Sequence, residues 1–327
     1  MHRVTLARNA MATRFEVVLA GENPVRLRAA GEEALDEIER IEALLSLYRP
    51  ASEIAQINAR AAKEAVRVSP EVFQLLSACK ELCALTEGAF DVTVAPLVRC
   101  WGFMEGGGAR PSEEEIARAR ESVGIQHLEL DADRSTARFA RPGMMLDLGS
   151  IGKGYAIDAA AEILQENGVA QALLHGGTST IRAMGGDLGS GPWKVAIELP
   201  ANEPGGEAEL LSVANLENES LSVSAVWGKH FEIDGEIYGH IIDPRTGWPA
   251  RAALLGASIV ASSGVSDALS TGVLLGEENF FRQLEERIPN VKYLQVRRDA
   301  RRAHKIEPVA PARASELPFG GLAAVLR

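Results

Sequence analysis

Apolar positions recur with period two over the first twenty residues and with a period near 3.6 over the next twenty. Residues 3–8 and 13–20 alternate and predict two strands, joined by a turn or bulge at Met11-Ala12-Thr13. Leu35, Ile38, Ile41, Leu44 and Leu45 share one helical face and predict a helix from Pro24 to Leu45. A short helix or turn is expected from Ser52 to Asn58. Ser69-Pro70-Glu71 supplies an N-cap hydroxyl, a proline at N1 and an acid at N2, so a helix is expected to run to Thr86 and stop at Gly88. Ala89–Leu97 reads as a loop. Ser112 and Glu115 form a capping box for a helix to Ser122. Small strands are expected at 128–130, 136–139 and 144–148, then a helix with Lys153 in its first turns and a C-cap at Asn167-Gly168. The second half predicts strands at 172–174, 180–184, 193–199, 210–213, 221–224, 230–233, 238–242, 255–261 and 291–296. Helices are expected at 265–275 and 278–287, and Asp234-Gly235 marks a hairpin turn. Strands and helices come in mixed order with no repeated βαβ unit, which predicts an α+β fold rather than a doubly wound sheet.

The 327 residues, 46% hydrophobic and 24% charged, are those of an ordinary globular chain. A formal net charge of −11 argues against nucleic acid as a partner, because phosphate neutralisation needs a basic face. No run reaches transmembrane length, and the first residues hold neither the apolar stretch nor the cleavage site of a leader. A cytoplasmic location is the expectation, with export as the alternative if a leader precedes this sequence. Cys79 and Cys83 lie four apart on a helical face with Leu75, Leu76 and Leu82, which reads as core rather than metal. The C-terminal twenty residues contain prolines and predict no clear element.

Several familiar motifs fail. Residues 149–154 (Gly-Ser-Ile-Gly-Lys-Gly) lack the spacing and the hydroxyl of a P-loop, the glycines at 185–191 lie between strands, and no nucleophile elbow is present. Four stretches carry chemistry. Asp147 to Asp158 joins an apolar strand, a glycine turn and a helix start bearing Lys153, a place suited to an anion. Asp267 and Thr271 stand at i and i+4 of a predicted helix; they are either hard oxygen ligands suited to Mg²⁺ or a capping region with an incidental threonine. His240 precedes the turn Asp243-Pro244-Arg245-Thr246-Gly247 and is either a general base near pH 7 or a core histidine. In 86–97, Phe90 offers a stacking face or plugs the core.

Together these stretches resemble the ApbE family, the FAD:protein FMN transferases. The resemblance is carried by Met11-Ala-Thr13, residues 46–54, residues 88–97, Asp147 to Asp158, His240 to Gly247, and Asp267 to Thr271, in the family's order. It implies one ApbE-like, T-fold-related domain over residues 1–327, with mixed sheets, flanking helices and two intimate subdomains. It implies a Mg²⁺-dependent enzyme that moves FMN from FAD to a threonine or serine hydroxyl of a target flavoprotein and releases AMP. Asp267, Thr271 and the carbonyl of Gly152 would hold the metal. Met11, Tyr48, Ala89, Phe90, Asp91, Lys153, Tyr155 and Ser224 would line the FAD site, and His240 would be the catalytic base or a proton shuttle.

The chain departs from the family's pattern at Gly176-Gly177-Thr178, where an acid or amide is usual in third place, and at Val223-Ser224-Ala225, where Thr-Ser-Gly is usual. These departures bear on the flavin side. They keep two alternatives open: an FAD pyrophosphatase giving FMN and AMP, and a non-catalytic FAD binder.

Overall fold

The structure is a computed structural model that describes residues 1–104, 106–187, 189, 191–199, 208–251, 253–288, 291–297 and 305–308. The C-terminal tail after Pro311 and most of the expected loop at 201–209 lie outside the described residues.

The chain opens with β1 (His2–Ala10) and β2 (Thr13–Gly21), whose buried residues alternate as the pattern requires. Met11 and Ala12 form the two-residue turn, with φ of 49° and 58°. Helix α1 (Pro24–Leu45) is capped by the Asn23 side chain and buries the expected face. Next come α2 (Glu53–Arg60), β3 (Val66–Arg67) and α3 (Pro70–Leu85), the last capped by Ser69. The stretch expected as a loop at 89–97 instead enters α4 (Ala95–Cys100), with Pro96 at the helix start where its missing N–H costs nothing. Helix α5 (Glu113–Arg120) carries both hydrogen bonds of the capping box. Strands β4 (Leu128–Asp131) and β5 (Thr136–Phe139) join β3 in a three-stranded sheet.

Residues 144–148, expected as a strand, lie in no ladder. The Asn58 side chain takes both backbone groups of Leu146, at 2.7 and 2.9 Å, and Val92 O accepts from Asp147 N at 2.8 Å. A side-chain amide thus does what a neighbouring strand would do, and the backbone is satisfied without one.

Helix α6 (Gly152–Glu166) follows, then β6 (Gln171–Gly176), β7 (Thr180–Met184), β8 (Trp193–Leu199), β9 (Glu209–Leu216) and β10 (Ser220–Ala225). Strands β11 (His230–Ile233) and β12 (Glu236–Gly239) form a hairpin on the Asp234-Gly235 turn. The strand expected at 238–242 therefore starts two residues earlier and ends at Gly239; Ile242 makes an isolated bridge to Pro249. The remaining elements are β13 (Ala253–Val260), α7 (Ser263–Leu275), α8 (Glu278–Arg287), β14 (Lys292–Arg297) and β15 (Lys305–Pro308).

Eight strands form the main sheet in the order β1-β2-β6-β7-β10-β13-β14-β15, and each ladder between described strands is antiparallel. Helices α1, α6 and α7 cover one face over a core that includes Val17, Leu19, Ile38, Ile157 and Leu269. The β8–β9 hairpin helps cover the other face, where Trp193, Ile197 and Leu216 meet Leu221, Leu255 and Val296. A third cluster sets Trp101 of the α4 end against Tyr238 of β12 and Ile116 of α5. This is the α+β architecture that the element order predicts. Among the described residues, no helix is long and apolar enough to cross a membrane.

Candidate functional site

Two periodicities meet between β10 and α7. Ser220, Ser222 and Ser224 alternate along β10 and so point to one face of the sheet. Ser263, Asp267 and Thr271 repeat every four residues along α7 and so share one face of the helix. The two rows match: Ser220 bonds Ser263 at 2.8 Å, Ser222 Oγ donates to Asp267 Oδ1 at 2.7 Å, and Ser224 lies 3.3 Å from Thr271 Oγ1 and 2.8 Å from Ser270 Oγ. Thr180, opposite Ser222 in the β7–β10 register, donates a second hydroxyl to Asp267 Oδ1 at 2.7 Å.

Asp267 Oδ2 accepts from the backbone N–H of Gly154 at 2.8 Å, in the first turn of α6. This bond brings the α7 acid to the glycine-lysine helix start. Gly154 is required by contact: a Cβ there would lie 2.2 Å from Ser263 O. One turn further along α6, Asp158 accepts four hydrogen bonds. Three come from Ser262 Oγ, Ser263 N and Gly264 N at the start of α7, and one from Arg182 on β7. The two helices are thus pinned at two levels, which sets where Asp267 stands relative to Gly152.

Asp267 is 6% exposed. Burial pushes its carboxyl above the ordinary value, while the Lys153 charge and the donors Ser222, Thr180 and Gly154 pull it back. A carboxylate offers about four lone-pair directions. Three are used here, so Oδ2 keeps one. With the Thr271 hydroxyl, 9% exposed and one turn further along α7, the donors are hard oxygens. That set fits Mg²⁺, which binds through one or two carboxylates and leaves places for phosphate oxygens and water.

The charged groups around Lys153 form one neighbourhood. Asp147, Lys153, Lys229 and His240 act on one another electrostatically, and the Asp147 charge reaches Tyr48, whose ring is 72% exposed. Asp147 is raised by burial, against the Gly149 N–H and the nearby cations. His240 is lowered by burial, with Lys229 and Lys153 adding to the fall and the Lys229 carbonyl and Asp147 opposing it. That carbonyl lies 3.1 Å from His240 Nδ1 and can only accept, so Nδ1 carries a proton and, in the neutral ring, Nε2 holds the lone pair. Gly228 packs against the ring; a Cβ there would lie 2.7 Å from His240 Cε1.

The structure sets Lys153 within electrostatic reach of both Asp267 and His240, joins Ser224 to Thr271, and leaves Tyr48 within reach of the Asp147 charge. It adds Asp147, Thr180, Ser222 and Lys229, for which the alternating serines and the acid two residues before Gly149 were the available signals. Other expected residues are engaged elsewhere. Ala89 and Phe90 are each 1% exposed, and Phe90 packs in the main core. Asp91 accepts from Thr93 N, Thr93 Oγ1 and Ile125 N, so its carboxylate ties its own turn to the backbone at Ile125. The Tyr155 hydroxyl donates to Glu71 at 3.1 Å, and Glu71 pairs with Arg40. Met11 sits half-buried in its left-handed turn.

A model of the ApbE family matches residues 11–294. An FAD:protein FMN transferase of Haemophilus influenzae is 30% identical over 306 residues, covering 90% of this chain and 87% of its own. One from Vibrio cholerae is 33% identical over 247 residues, covering 74% and 72%. A crystal structure of the ApbE protein from Thermotoga maritima superposes with a TM-score of 0.82 at 28% identity, covering 94% of this chain and 97% of its own.

Proposed function

The chain belongs to the ApbE family, and from that premise we propose that it is a Mg²⁺-dependent FAD:protein FMN transferase that labels a threonine or serine hydroxyl of a flavoprotein and releases AMP. The observation that carries this reading is the Gly154–Asp267 hydrogen bond, which sets the oxygen donors of α7 against the cationic start of α6. His240 supplies the third requirement, an unprotonated ring nitrogen in the same neighbourhood.

Asp267, Thr271 and the Gly152 carbonyl would hold the cation, which when bound spreads the charge of the diphosphate as AMP leaves. The chain's own groups do the rest. Lys153 and the positive N-terminal end of the α6 dipole would attract the diphosphate. The exposed Tyr48 ring offers an aromatic face at the site's edge. Ser224 holds Thr271 and Ser270 in register with β10. Ala89, Phe90 and Asp91 would contribute to a cofactor site through backbone, since their side chains are occupied. Tyr155, whose hydroxyl is held by Glu71, would line the FAD site through its ring.

His240 Nε2 takes the proton from the acceptor hydroxyl as its oxygen forms a bond to the FMN phosphorus. The P–O bond to AMP breaks, and the electron pair leaves with AMP. A neutral histidine suits this role, because a protonated one has no lone pair to offer.

The test is incubation with FAD, Mg²⁺ and a candidate acceptor flavoprotein. In-gel flavin fluorescence on the acceptor, with one AMP released per label, is the expected result. Free FMN with AMP and no label would make the enzyme a pyrophosphatase. Intact FAD would overturn both.

A further inference from the structure

Lys229 belongs to none of the stretches that carry the family resemblance. It directly precedes β11, and its carbonyl accepts from both His240 N at 2.9 Å and His240 Nδ1 at 3.1 Å. In the hairpin register His230 faces Gly239, so Lys229 and His240 form the next cross-strand position. Residues opposed on an antiparallel pair project to the same face, with Cβ atoms about 4.5–5.5 Å apart. The lysine side chain thus stands beside the imidazole. It is exposed, and neither it nor Lys153 makes a hydrogen bond or ion pair among the described residues. Lys153 comes from α6 and Lys229 from the β11–β12 side. Two ammonium groups without an ion-pair partner among the described residues, on separate elements, therefore lie within electrostatic reach of one imidazole and one acid, Asp147.

The charge balance gives this arrangement a purpose. Asp147 and Asp267 place two negative groups where an anionic substrate must sit. Lys153 alone leaves that region net negative. Lys229 restores neutrality, so that a bound divalent cation matches the charge of a dinucleotide's diphosphate. A lysine suits such a contact as a compact point charge on a flexible stem.

We propose that Lys229 is a second phosphate-binding residue, meeting the diphosphate of a dinucleotide from the hairpin side while Lys153 meets it from the α6 side. The proposal rests on the flavin-transferase reading and adds a residue that reading does not require.

The experiment measures FAD and ADP affinity, by flavin fluorescence and calorimetry in Mg²⁺, for the wild-type chain, Lys229→Met and Lys229→Arg. Lys229→Met is expected to weaken both ligands about tenfold, the scale of one charge-assisted contact. Its affinity should also depend less steeply on salt. Lys229→Arg keeps the charge and restores binding, and circular dichroism stays that of the wild type in both. Wild-type affinity in Lys229→Met, or equal weakening in Lys229→Arg, overturns this proposal alone. Absence of FAD binding by the wild-type chain overturns the flavin reading and this proposal with it.

Discussion

Gly154→Ala sets local propensity against tertiary contact, and the two predict opposite signs. In an isolated helix this change stabilises by about 1 kcal/mol, because alanine loses less backbone entropy than glycine. In this fold the new methyl would lie 2.2 Å from Ser263 O, 2.4 Å from Ser263 C and 2.7 Å from Gly264 N. These are backbone atoms of α7, which the four Asp158 bonds hold in place, so no side chain can swing away. Overpacking of this kind costs about 1–3 kcal/mol. Parting the helices also stretches the Gly154 N–H bond to the Asp267 carboxylate, worth about 1.5–3 kcal/mol for a charged acceptor. The net expectation is a loss of about 3 kcal/mol, read as a lower urea midpoint at unchanged slope. Gly152→Ala, two residues away with nothing within 4 Å of its Cβ, is the control and should match or exceed the wild type. A second readout is Mg²⁺-dependent FAD affinity, which should fall in Gly154→Ala as Asp267 moves off the α6 start. A Gly154→Ala chain as stable as the wild type would refute the claim that helix contact, rather than helix propensity, selects glycine here.

Three further outcomes are expected. Burial holds the His240 imidazole below its ordinary value, so both the free base and the stability it contributes are present above about pH 6.5 and are lost as pH falls through the lower folded value. The acid limb of kcat/KM should lie below that pH, and His240→Gln should cut transfer about 10²- to 10⁴-fold while FAD affinity holds; a limb centred above pH 7 would contradict this. Asp158→Asn breaks a pair whose side chains are 8% and 20% exposed and should cost about 3 kcal/mol in urea unfolding, whereas Arg134→Ala, at an 81% exposed surface pair, should cost under about 0.5 kcal/mol. Replacing Met11-Ala12 with Asn-Gly relieves two left-handed non-glycine residues and should raise stability by about 1–2 kcal/mol, measured as a higher unfolding midpoint.

How far the sequence could be read depended on the range of the forces involved. Helix α1 and helix α8 were legible to the residue, because an apolar stripe is a local property. The capping box of α5 and the Asp234-Gly235 turn were legible for the same reason. Helix α4 was not, since a six-residue helix rich in buried residues shows too little periodicity. Residues 144–148 looked like a strand by composition; only the distant Asn58 amide determined that they need no partner strand.

The candidate site divides in the same way. The sequence by itself determined the residue types: an acid and a hydroxyl one helical turn apart, a lysine at a glycine-rich helix start, and a histidine before a proline turn. Those are short-range patterns that the chain carries before it folds. The tertiary structure decided which of them meet. The β10–α7 register joined Ser222 and Thr180 to Asp267, and the absence of a Cβ at Gly154 let α7 approach α6. The hairpin register set Lys229 beside His240. The same packing withdrew Phe90 into the core and turned Tyr155 toward Glu71. Apart from the hairpin pair, 11 positions apart, these contacts join residues dozens to more than a hundred positions apart, and no local period encodes them. The helix start bearing Lys153 was an anion site in the sequence; Asp267, arriving from α7, makes it a candidate site for a metal-bound diphosphate.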